Sequence, residues 1–247
     1  MISIEAFLPR LKEKWREVPC GLVERITTTR LSAMSDQEAE TLWHRHVSES
    51  ASGENFDVRG WYHELYKPIL AGKRVMDVGS GLGGDAITFA QAGAHVTCAD
   101  IVQSNLDFIQ KVSRAKGIAN IDFVLIEDMT SLQKVPQGFD VIWCQGSMIN
   151  APFDAMREEC EILQSLLVDG GRWIELAYPK ERWEREGALP FEDWGRRTDG
   201  ENTPWVEWYD LEKLLARLAP TEYEVILSFN FHNSDFNWFD LKKKPLS

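Results

Sequence analysis

The sequence is poor in cysteine, short of positive charge and without a long apolar run. Its 247 residues hold four cysteines, Cys20, Cys98, Cys144 and Cys160. Their wide spacing suits neither a zinc site nor a disulfide framework, so they read as small core residues in a reducing compartment. No stretch approaches the ~20 apolar residues of a membrane span. At the N-terminus Arg10, Lys12, Lys14 and Arg16 mix with Glu5 and Glu13, and no apolar core follows them, which argues against a signal peptide. A cytoplasmic location is expected by default. Against 39 acidic residues stand 27 basic ones, a net charge of −12. Such a surface repels phosphate backbones and anionic lipids, so neither nucleic acid nor membrane is the expected partner. Repeats and low-complexity tracts are absent, and nothing requires a second full domain.

What is present centres on Val75-Met76-Asp77-Val78-Gly79-Ser80-Gly81-Leu82-Gly83-Gly84-Asp85. An apolar strand is broken by glycines, and Ala86 to Ala90 carry the apolar content of a following helix. Glycines let a ligand lie on the main chain at a helix N-terminus. Positions 79, 81 and 83 fit Gly-x-Gly-x-Gly, while 79, 81 and 84 fit Gly-x-Gly-x-x-Gly, so the glycines alone choose no cofactor. Asp77, inside the strand end, would gain nothing facing a pyrophosphate but suits a cationic ligand. Asp100 ends the next apolar run, His95 to Asp100, where an acid grips ribose hydroxyls.

From residue 73 onward strands and helices alternate, as in a parallel sheet covered by helices. Strands are expected near 73–78, 95–100, 121–126, 139–144 and 171–177, with helices starting near 84, 103 and 153. A helix near 210–218, a strand from Glu222 to Asn230, a turn at 232–235 and a strand from Phe236 to Leu241 close the chain. Before the core, Ile4, Phe7, Leu8 and Leu11 repeat at helical spacing, and Ser35-Asp36-Gln37-Glu38 reads as a capping box for a helix with Ala39, Leu42, Trp43 and His46 on one face. His44 and His46 point in different directions on that helix and read as structural, not as a metal pair. After the loop Ser52-Gly53-Glu54-Asn55, a short helix runs to Pro68. Its Tyr62, Tyr66, His63 and Lys67 are expected to face a ligand while Trp61 and Leu65 pack inward, with simple packing on the sheet as the equal alternative. Residues 178–209, with Pro179, Pro190 and Pro204 among tryptophans, are long for a loop without function.

These motifs in this order resemble the class I S-adenosylmethionine-dependent methyltransferases, over roughly residues 73 to 177. The resemblance runs through the Val75–Gly83 turn, the Asp100 strand end, Glu127-Asp128-Met129 after a third strand, Phe139 to Cys144 as a fourth, and Leu166-Leu167-Val168-Asp169-Gly170-Gly171 before a fifth. It implies an α/β fold: a doubly wound, seven-stranded, mostly parallel sheet with an antiparallel C-terminal strand. An N-terminal helical lid over 1–70 would precede a Rossmann-like domain over 71–247, with an aromatic cap inserted at about 178–209. The implied cofactor is S-adenosyl-L-methionine. Gly79, Gly81 and Gly83 would shape its seat, Asp77 and Asp85 lie near its amino-acid end, and Asp100 accept from its ribose. Ile101, Asp128 and Met129 would flank the adenine, and Cys144 and Gln145 pass the methionine part.

Ser147 and Asn150 stand where the family places acceptor-facing groups, although Gln145 to Pro152 lacks both the Asn-Pro-Pro-Tyr pattern and the Asp-Asn pair of a metal site, so no metal is expected. Tyr62, Tyr66, Arg182, Trp194 and Trp205 are further acceptor candidates, since flat rings stack on sugars or aromatic groups. An alcohol needs a base. Glu175, an acid interrupting an apolar strand, His63 and His232 are the candidates. The expected function is methylation of a small or glycan-like acceptor at oxygen by a monomer or homodimer. Nitrogen methylation, a nicotinamide-dependent oxidoreductase and a non-catalytic binding module are the alternatives.

Overall fold

The computed structural model describes residues 3–20, 24–52 and 56–245, so positions 53–55 of the expected loop lie outside the described residues. The chain forms two compact units, one of Trp15–Ile126, the other of Met1–Lys14 with Glu127–Ser247. The first helix, α1 (Ile4–Lys14), belongs to the latter and buries Ile4, Phe7, Leu8 and Leu11 at the expected spacing. Glu158 takes up its N-terminal donors, accepting from Ser3 Oγ at 2.9 Å and the Ile4 amide at 3.1 Å.

The Trp15–Ile126 unit begins with an antiparallel pair, β1 (Glu17–Pro19) and β2 (Arg25–Thr27), and continues with α2 (Thr28–Ala33) and α3 (Asp36–Ala51). The capping box forms: Ser35 Oγ accepts from the Glu38 amide and the Glu38 carboxylate accepts from the Ser35 amide. Ala39, Leu42, Trp43 and His46 are the buried face. A π-helical turn over 56–60 leads into α4 (Trp61–Leu70). Here the expected phase is reversed: Tyr62, His63 and Tyr66 are buried, whereas Leu65 is 42% exposed and Trp61 half-buried. The helix also runs past Pro68, whose missing donor falls in the last turn and costs a single bond. Next come β3 (Arg74–Val78), α5 (Gly84–Gln91), β4 (His95–Asp100), α6 (Gln103–Lys116) and β5 (Ile121–Leu125). The three strands are parallel in the order β5-β4-β3, with Val75 beside Val96 and Val96 beside Ile121.

The second unit adds α7 (Met129–Gln133), β6 (Phe139–Gln145), α8 (Phe153–Leu166) and β7 (Leu167–Ala177). β7 starts four residues earlier than expected because Leu167 already pairs with Phe139, and Gly170, at φ 75°, carries the strand through its irregular start. The supposed loop 178–209 contains two helices, α9 (Lys180–Arg185) and α10 (Phe191–Thr198). Pro179 and Pro190, read from sequence as breakers, stand at their starts, where a fixed φ and a missing donor cost nothing. Then follow α11 (Leu211–Leu218), β8 (Tyr223–Phe231) and β9 (Phe236–Lys243). The order is β6-β7-β9-β8, with β6 parallel to β7 and β9 antiparallel to both neighbours. The two units thus hold seven strands, β3 to β9, three parallel in one and four mixed in the other, as many as expected. Among the described residues no helix is long and apolar enough to cross a membrane.

Candidate functional site

The turn between β3 and α5 is built by its own backbone and by Asp100. The Gly79 amide bonds Ala99 O at 2.7 Å, Ser80 Oγ bonds Asp77 O at 2.8 Å, and the Gly83 amide bonds Ser80 O at 2.8 Å. Asp100 Oδ2 accepts from the Gly81 amide at 3.0 Å, and Oδ1 from the Val102 amide at 2.8 Å and Asn105 Nδ2 at 3.2 Å. Burial raises the Asp100 carboxyl to about 6 against the pull of these donors. Gly79, Gly81 and Gly83 all have positive φ, and a Cβ on Gly83 would stand 2.7 Å from Ile109 Cγ1 of α6. At Gly81 a Cβ would meet nothing nearer than Val18 Cγ1, at 3.5 Å, among the described residues, so this stretch of main chain is open to close approach. Ile101 follows, half-buried.

Two buried acids flank the turn. Asp77, 4% exposed, has Oδ2 without any hydrogen-bond partner, and burial followed by the charge of Asp85 pushes its carboxyl well above the usual range. An orphaned buried carboxylate oxygen calls for a cationic or donor ligand. Asp85, at the start of α5, accepts from His63 Nε2 at 2.6 Å and Tyr62 Oη at 3.5 Å, both on α4. From α3, Trp43 Nε1 donates to Gly83 O at 3.2 Å, and the His46 ring lies where a Cβ on Gly84 would meet it at 3.4 Å. Burial lowers His46 to about 4, so the ring is neutral at pH 7. Tyr62 and Tyr66 are fully buried, and Tyr62 reaches the turn through Asp85.

The other unit holds the remaining candidates. Cys144 is buried, and its thiol is pushed up by burial and by the charge of Glu175. Both amide atoms of Gln145 are buried without partners. Beyond Gly146 the loop is tied down at each step: Arg217 Nη1 donates to Met148 O at 2.7 Å, the Glu207 amide to Ile149 O at 2.9 Å, and Asn150 Nδ2 to Asp199 Oδ2 and Trp205 O at 3.3 Å each. Asn150 therefore spends its amide on joining loop to cap, while Ser147 is half-buried beside it. Glu175, the candidate base, is a paired acid. It is fully buried, ion-paired with Arg217 and bonded by Trp173 Nε1 at 2.8 Å.

In the cap, Trp194 Nε1 donates to Glu186 at 2.7 Å and the ring is core; Arg182 bonds the same carboxylate at 3.0 Å and lies over the Tyr178 ring. Trp205 Nε1 donates to Glu207 at 3.0 Å, with its ring edge-on to Phe191. His232, in the β8–β9 turn at φ 53°, sets its ring against Phe236. Asp128 caps α7, accepting from the Ser131 amide at 3.0 Å and Thr130 Oγ1 at 2.7 Å, donors that keep its carboxyl low. The Met129 amide donates to Glu5 at 2.8 Å. Sequence reasoning missed Arg217, although it shares the buried face of α11 with Leu214 and Leu218, one turn away. Asp199 and Glu207 left no comparable signal.

Residues 75–171 match the family model described as a methyltransferase domain. The chain is 33% identical to the ubiquinone biosynthesis O-methyltransferase of Chromobacterium violaceum over 108 residues, 42% of this chain and 44% of that protein. To the ribosomal RNA small subunit methyltransferase G of Laribacter hongkongensis it is 31% identical over 118 residues, 46% and 53% of the two chains. The alignments span about half the length of these relatives. Among solved structures, magnesium protoporphyrin IX methyltransferase from Synechocystis PCC 6803, with bound SAH, superposes with a TM-score of 0.56 at 19% identity, covering 82% of this chain and 93% of that one. Residues 75–171 are thus similar to a methyltransferase domain, and the chain has the α/β fold of that solved methyltransferase.

Proposed function

We propose that the protein is an S-adenosylmethionine-dependent methyltransferase of a small, hydroxyl-bearing acceptor. The observation that carries this reading is the orphaned, buried Oδ2 of Asp77 beside Asp85, at a turn whose glycines expose main chain. A pyrophosphate gains nothing there, whereas an ammonium group satisfies it. When bound, the cofactor supplies a methyl group activated for in-line displacement. The residues of the chain bind and orient: Gly79, Gly81 and Gly83 form the seat, Asp77 and Asp85 hold the amino-acid end, and Asp100, already fixed by the turn, receives the ribose hydroxyls, with Ile101 next to it. For Asp128, Met129, Cys144 and Gln145 the resemblance is the support, as it is for residues 1–70 acting as a lid.

The acceptor follows from what is engaged. Glu175 is paired with Arg217, His63 with Asp85, and His232 packs on Phe236. With Glu175 held by Arg217 and Nε2 of His63 by Asp85, an acceptor that ionises by itself, such as a phenol, fits better than a sugar hydroxyl. The likeness to an O-methyltransferase supports oxygen. A primary or secondary amine, which sheds its own proton, is the second reading for the same reason. The net charge of −12 favours a small acceptor over RNA, and the four buried free cysteines suit a cytoplasmic setting.

The test incubates the protein with S-adenosylmethionine and separate panels of phenols, sugars, amines and short RNA, following release of S-adenosylhomocysteine. The expected result is turnover on phenols that rises with pH through the acceptor's own pKa. Turnover confined to RNA or to sugars contradicts the proposal.

A further inference from the structure

We infer that His63 is a positioning residue for the cofactor: through Asp85 it makes the seat select a ligand with an α-amino-acid end. The inference rests on the proposed function and concerns a residue the sequence offers as a base or as one face of a ligand-facing helix. His63 Nε2 stands 2.6 Å from Asp85 Oδ1, with both side chains more than nine-tenths buried, and Tyr62 Oη approaches the same oxygen at 3.5 Å. Helix α4 thereby holds the first turn of α5, from which Asp85 reaches back to Asp77 in charge, its field being the second largest cause of the raised Asp77 carboxyl.

Buried carboxylates that feel each other's charge repel, and each is favoured in its charged form only where donors or cations compensate. Asp85 has its donor in His63. Asp77 Oδ2 has none. An arriving ammonium group satisfies Asp77 and is drawn by Asp85 as well, with His63 helping to hold the Asp85 carboxylate in place. A ligand lacking the amino-acid end leaves Asp77 Oδ2 orphaned and gains nothing from His63. Nε2 of the ring is thus spent on choosing and seating the ligand.

The test compares two ligands by calorimetry: S-adenosylmethionine, and 5′-methylthioadenosine, which keeps the nucleoside and loses the amino acid. His63→Ala is expected to weaken S-adenosylmethionine about tenfold or more, the usual scale of a lost charge-assisted bond, and to leave 5′-methylthioadenosine within about twofold. His63→Gln, which keeps a donor, recovers part of the loss. A purely structural ring weakens both ligands together, and that result overturns the inference, as does unchanged binding of both. Should His63→Ala not fold, His63→Gln and Tyr62→Phe carry the same comparison. Binding of neither ligand by the unchanged protein contradicts the proposed function itself, an outcome distinct from equal loss in the variants.

Discussion

Gly83 carries more of the turn than Gly81 does. Both are left-handed, at φ 68° and 53°, but a Cβ on Gly83 lands 2.7 Å from Ile109 whereas one on Gly81 has room. Gly81→Ala therefore costs about the 1–2 kcal/mol of the left-handed backbone, and Gly83→Ala costs more, because α6 must also shift. Urea unfolding of the two variants ranks them. His46 supplies a pH test. Its folded pKa of about 4 lies below the ordinary 6.5, so its neutral form is favoured by folding. The native state then binds fewer protons than the unfolded one between these values, and stability is lost as the pH falls from about 6.5 toward 4. Asp100, raised to about 6, works the other way between about 4 and 6, so the informative comparison is variant against parent. His46→Gln is expected to lose less stability than the parent over that fall, by up to about 3 kcal/mol, in unfolding titrations across the range. Arg217 and Glu175 supply a third test. Arg217→Met leaves Glu175 buried without a counter-charge, a loss of about 3–5 kcal/mol, while pairing it with Glu175→Leu recovers most of it by equilibrium unfolding.

At the scale of elements, Ser35→Ala removes the α3 cap seen in both directions of the box and is expected to cost about 1 kcal/mol, read as a lower thermal midpoint. That cap was plain in four consecutive residues, as were the strand, glycine turn and helix around 75–90, because each is decided by neighbours in the chain. Helix α4 shows the opposite case. Its 3.6-residue period was legible, but its phase was inverted: hydropathy put Trp61 and Leu65 inside, whereas Tyr62 and His63 are buried because Asp85, 22 residues on, accepts from them. The cap helices α9 and α10 were hidden by Pro179 and Pro190, which break a helix when inside it and begin one when at its start.

For the whole molecule, the order of strands β3 to β9 was legible because each apolar run ends in a turn signal, and the fold follows from their alternation with helices. The candidate site was legible only where it is made of one continuous stretch. Asp77, the glycines and Asp100 are read from local pattern. The pairing of Glu175 with Arg217 spans 42 residues and that of Asn150 with Asp199 spans 49. Such partners are set by packing and leave no local trace, which is why Glu175 reads from sequence as a base and in the fold as half of a buried ion pair. The central claim is that the glycine turn seats a cation-bearing nucleoside. Calorimetric titration of the protein and of Asp77→Asn with S-adenosylmethionine, with NAD in parallel, tests it most directly. The account predicts binding of S-adenosylmethionine at a Kd of roughly micromolar, weakened about tenfold or more by the substitution, and no comparable binding of NAD. Preference for NAD, or equal affinity in the two proteins, would contradict it.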